Sequence, residues 1–262
     1  MTLSIVIVTY NSRGHIDGCL ESLVTHAPGM DHEIVVVDNA SPDGTAAAVR
    51  AHWPMVRVVE AGGNVGFAAA NNLGIRASGG ELVLLLNPDT VVRAGAIDAL
   101  VKALEARADA AIAGPRLVDA HGRAELSFGP MIGPLNEWRQ KRRQRDRAFV
   151  ESATRVPGEV DWVSGACLLV RRSDAEAVGL LDERYFMYTE DVDFCAAVRA
   201  RGRAVIFVPD GQVTHLRGES RKSASAATET AYRQSQLAFY AKHHPIWVPL
   251  LRLYLRLRGR LP

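Results

Sequence analysis

Short apolar, β-rich runs at 4–9 (Ser-Ile-Val-Ile-Val-Thr), 34–37 (Ile-Val-Val-Val), 56–59 and 82–86 alternate with helix-like segments at about 13–26, 44–52, 67–77 and 94–107. This alternation restricts the fold more than any other feature of the chain. Each run is continuous and not period-two, as in strands covered on both faces. Strands and helices in this order build an α/β fold with a mainly parallel central sheet, right-handed crossovers and helices on both faces. Ligands of such sheets bind beyond the carboxyl ends of the strands, so chemistry is expected in the loop after each run. At 262 residues, 48% of them apolar, the chain is long enough to bury a substantial core.

The pattern changes after Gly114-Pro115. Leu117 to Arg123 reads as a hairpin with its turn at His121-Gly122, the start of a second, smaller sheet. The stretch from Phe128 to Pro157 contains Pro130, Gly133, Pro134 and the cations Arg139, Lys141, Arg142, Arg143, Arg145 and Arg147, and reads as a mobile loop. A strand at 166–171, a helix at 190–201, a strand at 204–208 and a helical tail from about 225 come after it. The expected division is 1–115, 116–222 and a tail at 223–262.

A formal charge of +2 gives no reason to expect a nucleic-acid partner. Cys19, Cys167 and Cys195 are widely spaced, form no Cys-x-x-Cys pair, and read as core residues in a reducing compartment. No run approaches the roughly twenty apolar residues that span a bilayer, and no basic lead with an apolar stretch precedes Leu3, so the expected location is the cytoplasm.

The strand ends carry the candidate site. Thr9, Tyr10 and Asn11 close the first run, and Asp38 and Asn39 close the second, presenting an acid and amides at one sheet edge where a nucleotide could be read. On the residues alone, the second of these reads first as a plain turn followed by a helix cap at Ser41 or Asp43. Gly62 to Phe67, with Asn64 and Gly66, lets backbone approach a ligand ahead of a helix N-terminus. It is neither a dinucleotide fingerprint nor a Walker loop. Asn87-Pro88-Asp89-Thr90 places a carboxylate at the end of the fourth run. Mg²⁺ or Mn²⁺ bound to phosphates needs only one or two such groups, although Asp89 or Thr90 could instead cap a helix after it.

Taken in order, these motifs resemble the inverting GT-A glycosyltransferases of family 2, in their rhamnosyltransferase-like branch. The match runs through Ser4 to Ser12, Val37 to Thr45, Asn64 to Phe67 with Asn71 to Gly74, and Asn87-Pro-Asp89. It continues through Trp162-Val-Ser-Gly-Ala166, Tyr185 to Phe194 and His215 to Ser220. The resemblance implies a nucleotide-diphosphate sugar donor, with Asp38, Thr9, Tyr10, Asn11, Asn39 and Asn71 around the nucleotide. It places Asn64, Gly66 and Phe67 near ribose and diphosphate. Asp89 matches the last aspartate of the family's Asp-x-Asp element, in which Asn87 replaces the first and removes one negative charge. Asp89 and His215 are the implied ligands of a divalent cation, Mg²⁺ or Mn²⁺, in a region that also supplies Arg217 and Ser220.

Asp191 matches the family's general base, at the start of a helix that Thr189 could cap. Asp193 lies about 200° further round that helix and cannot address the same acceptor. On the residues alone, Glu190, Asp191 and Asp193 also suit a helix dipole. Ser164, Gly165, Ala166 and Glu190 would border the sugar or acceptor, and Trp162 packs either there or in the core.

The tail from Leu250 to Arg260 puts most leucines on one helical face and Arg252, Arg256 and Arg260 on the other, and it also alternates with period two. With the arginines of 139–147 it points to a peripheral membrane contact and a lipid-linked or other cell-envelope glycan acceptor, with homodimerisation left open. The sugar implied is a deoxyhexose such as L-rhamnose from its dTDP donor. A nucleotidyltransferase would want a basic, Gly-rich loop after the first strand, where Thr9 to Ser12 has none. A catalytically dead nucleotide-sugar-binding subunit is opposed by the presence of Asp89, Asp191 and His215.

Overall fold

The computed structural model describes residues 1–216 and 226–262. Its first half is the expected parallel unit. Strands β1 (Leu3–Thr9), β2 (His32–Asp38), β3 (Arg57–Glu60) and β4 (Leu82–Leu86) pair in parallel in the order β3-β2-β1-β4. They are joined by helices α1 (Ile16–Thr25), α2 (Thr45–His52) and α3 (Phe67–Ala77). Because strand side chains alternate, β1 feeds two cores. Leu3, Ile5 and Ile7 pack with Leu20 and Leu23 of α1, whereas Val6 and Val8 pack with Ala68, Ala70 and Ile75 of α3. Helix α3 lies so close to the sheet at Gly74 that a Cβ there would come within 2.3 Å of Val6.

The second half turns the sheet mixed. The order of elements is β5 (Thr90–Val92), α4 (Ala96–Ala106), β6 (Ala110–Val118), β7 (Phe128–Gly129), α5 (Pro134–Arg145) and α6 (Arg147–Ala153). It continues with β8 (Gly158–Val160), β9 (Trp162–Val163), β10 (Cys167–Arg171), α7 (Arg172–Ala177), α8 (Glu190–Ala200) and β11 (Ala204–His215). Helix α9 (Ala226–His243), a 3₁₀ turn (Pro245–Trp247) and helix α10 (Val248–Leu257) complete the chain. Strand β10 inserts antiparallel between β4 and β6, and β11 runs parallel to β6 but antiparallel to β5 and β8. Among the described residues the main sheet has nine strands, and β7 with β9 forms a small antiparallel sheet. Among those residues, too, no helix is long and apolar enough to cross a membrane.

Five expectations are corrected. The segment 128–157 is not a mobile loop but carries α5 and α6. Pro134 opens α5 where its missing N–H has no partner to lose, and Asp146 accepts the Phe149 N–H to cap α6. The strand expected at 204–208 continues to residue 215 through a register shift between Val208 and Gln212, so His215 ends a strand. Thr189 does not cap α8: its φ is 66° and its hydroxyl donates to the Ser235 carbonyl. Asp89 and Thr90 cap no helix, because Thr90 begins β5. The hairpin near 121 shrinks to one bridge, Val118 to Ala124, around a turn in which Gly122 has φ 76°.

Candidate active site

The carboxyl ends of β1, β2 and β4 meet the loops before α3 and α8. At the first two, Thr9 donates its hydroxyl to Asp38 Oδ1 (3.1 Å), and the Ser41 N–H reaches Asp38 Oδ2 (3.0 Å). Asp38 is therefore buried yet held in one orientation. Asn39 bonds the next loop: its amide donates to Asn64 Oδ1 (2.9 Å) and its oxygen accepts the Val65 N–H (2.8 Å). Tyr10 stands beside this array with its ring 49% exposed, and Asn11 has φ 54°, with its N–H on Ser41 Oγ. The expected cap at Ser41 or Asp43 is corrected: Gly44, in the left-handed conformation, precedes α2 with no side-chain cap, and Asp43 Oδ1 accepts the Thr45 N–H in a turn one residue earlier.

Gly66 is dictated twice. Its φ is 88°, and a Cβ would come within 2.5 Å of the Phe186 carbonyl, which also accepts the Phe67 N–H at 2.6 Å. The glycine loop is thereby clipped to the segment that leads into α8. Asn71 is buried and spends its amide on the Phe67 carbonyl (2.9 Å), so it supports this loop from beneath.

Register places the metal candidates together. Thr90 of β5 pairs with His215 of β11, so Asp89 stands next to His215, with Nε2 3.3 Å from Oδ1. The Leu216 N–H also returns to the Asp89 carbonyl (2.8 Å). Burial works against ionising Asp89, but the hydrogen bond and charge of His215 outweigh it and hold the carboxyl below its ordinary range. On the other ring edge, Nδ1 lies 3.7 Å from Glu125 Oε2. Glu125 was not visible as a site residue from the sequence, since it belongs to no motif and reaches His215 only through the fold. The two ring nitrogens of His215 thus each face a carboxylate, Asp89 at Nε2 and Glu125 at Nδ1. Among the described residues no three or more His, Cys, Asp or Glu side chains form a ready metal cage. A pair of one carboxylate and one imidazole still suits a cation that takes its remaining ligands from a diphosphate and water. Arg217 and Ser220 lie outside the described residues.

The base candidate is tied to this corner through consecutive residues. The Asn87 N–H donates to the Ala166 carbonyl (2.9 Å), and one residue earlier the Gly165 N–H donates to Asp191 Oδ2 (2.8 Å). A Cβ on Gly165 would meet the Asp191 Cβ at 3.2 Å and the Phe67 ring at 3.6 Å, so these groups share one small space. The Ser164 hydroxyl oxygen accepts the Ala166 N–H. Trp162 donates its indole N–H to the Pro130 carbonyl and packs on the cluster of Tyr185, Val192, Phe239 and Tyr240.

Glu190 differs from its neighbour. It is buried, its Oε2 has no hydrogen-bond partner among the described residues, and burial followed by the charge of Asp191 pushes its carboxyl well above the ordinary range. Burial and the neighbouring Asp191 thus both favour the neutral form of Glu190. A raised folded-state pKa means that the native protein binds more protons than the unfolded chain above about pH 4.3, so this group withdraws stability as pH rises. Glu190→Gln should therefore melt higher than the parent at pH 8 and level with it near pH 4, as followed by differential scanning fluorimetry across pH.

Asp193, the rival acid on α8, faces the other way. It is 1% exposed and accepts from Tyr185 OH (3.2 Å), Lys242 Nζ (2.8 Å) and His243 Nε2 (2.6 Å). This cluster ties α8, which carries the base candidate, to α9, a link between distant segments that no local pattern pairs. The three cysteines are free and buried, and burial raises the Cys19 and Cys195 thiols to about 12.

A mixed sheet of this order, with acidic groups at the end of β4 and the start of α8, defines the GT-A class of glycosyltransferases. The mannosyltransferase PcManGT of Pyrobaculum calidifontis, solved with GDP-Man and Mn²⁺, superposes with a TM-score of 0.64 at 21% identity, over 95% of this chain and 67% of that one. A profile of glycosyl transferase family 2 matches residues 4–178, and the chain belongs to that family. Among similar proteins, the N-acetylglucosaminyl-diphospho-decaprenol L-rhamnosyltransferase of Mycobacterium tuberculosis H37Rv is 34% identical over 289 residues, covering 99% of this chain and 92% of its own. The rhamnosyltransferase WbbL of Escherichia coli K12 is 25% identical, over 84% of this chain and 85% of its own.

Proposed function

We propose that the protein is an inverting, divalent-cation-dependent rhamnosyltransferase that moves L-rhamnose from a dTDP donor to a lipid-linked cell-envelope glycan at the inner face of the membrane. One observation carries the mechanistic part. Successive residues of the 164–166 turn bond Asn87, two residues before Asp89, and Asp191, which supports a reading in which donor-holding and proton-accepting groups border one space. The sugar and the acceptor rest on the likeness to the two rhamnosyltransferases.

In this reading Asp38, Thr9, Asn39 and the Tyr10 ring hold the nucleoside, and the Asn64–Phe67 loop lies along ribose and diphosphate. Asp89 and His215 would hold Mg²⁺ or Mn²⁺, which when bound supplies positive charge for the diphosphate. The small groups of Ser164, Gly165 and Ala166 leave room for the sugar ring. Asp191 takes the proton of the acceptor hydroxyl as its oxygen bonds the anomeric carbon from the face opposite the leaving group. The carbon–oxygen bond to the diphosphate breaks in the same displacement, inverting the centre. Burial disfavours a charge on Glu190, which limits its repulsion against the donor.

A thermal-shift screen tests the donor. With dTDP-rhamnose and Mn²⁺ at about a hundred times Kd, ligand linkage adds about 2.7 kcal/mol, or about 5–10 °C for a chain of this size. GDP-mannose and UDP-GlcNAc should give less. Asp89→Ala should weaken donor affinity by about tenfold or more in Mn²⁺, and much less in its absence. Equal shifts with every nucleotide sugar would overturn the rhamnose reading.

A further inference from the structure

Helix α10 carries two apolar stripes where a helix on the surface of a monomer needs one. Val248 and Leu251 pack against the cluster of Tyr185, Val192, Phe239 and Tyr240, and Leu255 is fully buried. Leu250, Leu253, Tyr254 and Leu257, spaced i, i+3, i+4 and i+7, form a second stripe that is open to solvent. Ile246, 90% exposed, and Trp247 extend it. The expectation that most leucines share one face is thus corrected: the arginines interrupt two faces and do not oppose one.

A neighbouring element repeats the pattern. Leu135 and Trp138 of α5 are exposed one turn apart, among Arg139, Lys141, Arg142 and Arg143. Helix α5 is tied to the helix before α10, since Gln236 of α9 donates to Glu137 of α5, and His244, between α9 and α10, bonds the Ile132 carbonyl just ahead of α5.

We propose that this surface seats the protein on an anionic lipid bilayer, with α10 lying in the interfacial plane and α5 beside it. Charge selects the occupant. No Asp or Glu follows Glu229, while Arg252, Arg256, Arg258 and Arg260 flank the exposed stripe, so a second copy would set arginine against arginine. Anionic headgroups satisfy both the cations and the apolar side chains between them. The cluster under α10 also takes Met131, Ile132 and Trp162, the last of which the resemblance sets beside the sugar or acceptor. The inference deepens the reading of a lipid-linked acceptor and rests on it for its purpose, but its measurement needs neither donor nor acceptor.

The test is flotation of the full chain with vesicles of phosphatidylglycerol and phosphatidylcholine, against phosphatidylcholine alone. The protein should float with the anionic vesicles and be released by high salt. Leu253→Asp with Leu257→Asp should lower the partition coefficient by about tenfold per leucine, and Arg252→Glu with Arg256→Glu by about fivefold per arginine. These variants should keep the parent's melting temperature and donor-induced thermal shift, which separates lost docking from lost folding. Parent protein left in the soluble fraction, or leucine variants that float as well as the parent, would overturn the proposal. So would a parent dimer that the leucine changes convert to monomer without any flotation. A chain that floats but binds no nucleotide sugar would overturn the site reading alone.

Discussion

Asp191→Asn is expected to bind dTDP-rhamnose as the parent does and to transfer sugar about 10²–10⁴-fold more slowly, the usual worth of a positioned general base. The substitution is nearly isosteric. An amide in place of the carboxylate can still offer its oxygen to the Gly165 N–H, which holds Oδ2 at 2.8 Å, so the 164–166 turn and the Asn87 bond beyond it should persist. What is lost is the acceptor of a proton. Measured kcat should fall while the donor-induced thermal shift stays within error of the parent's. A variant that retained parental kcat would remove Asp191 from the mechanism, whatever its position.

The largest stability effect should come from Asp193→Ala, two residues away on the same helix. The change removes the shared acceptor of Tyr185, Lys242 and His243 from a site that is 1% exposed. Leaving those donors without it should cost about 3 kcal/mol, a fall of about 10 °C in Tm. Lys242→Ala should cost only about 1 kcal/mol, because that ammonium is 31% exposed and screened. Chemical denaturation of both variants separates the two sizes of effect. Equal small losses would mean that the cluster is a solvated surface network.

The parallel half of the fold was legible because its strands are short apolar runs closed by polar residues, and each closing group lies at the same sheet edge. The illegible parts have physical reasons. Helix α5 buries none of its residues, so it carries no apolar period, and its Pro134 and Gly133 look like loop punctuation. Strand β11 passes through Pro209-Asp210-Gly211, residues that ordinarily end a strand, and only the register shift against β6 lets it continue to His215. The positions of Asp89, Asp191 and His215 were motif readings. Their mutual distances, and the parts played by Glu125 and Asp193, depend on pairings between distant segments that no local pattern encodes. The buried state of Glu190 was equally hidden, since a charged residue at a helix start ordinarily faces water.

The bonds from Asp193 to Lys242 and His243 bear on where the gene can be cut. The family profile ends at residue 178, ahead of Asp191, and even a fragment extended through His215 would leave the underside of α8 bare, with a buried carboxylate facing solvent. The last helices are therefore a buttress of the catalytic body as well as its outer face, and an expression fragment trimmed to remove the sticky terminus should lose activity along with its stickiness.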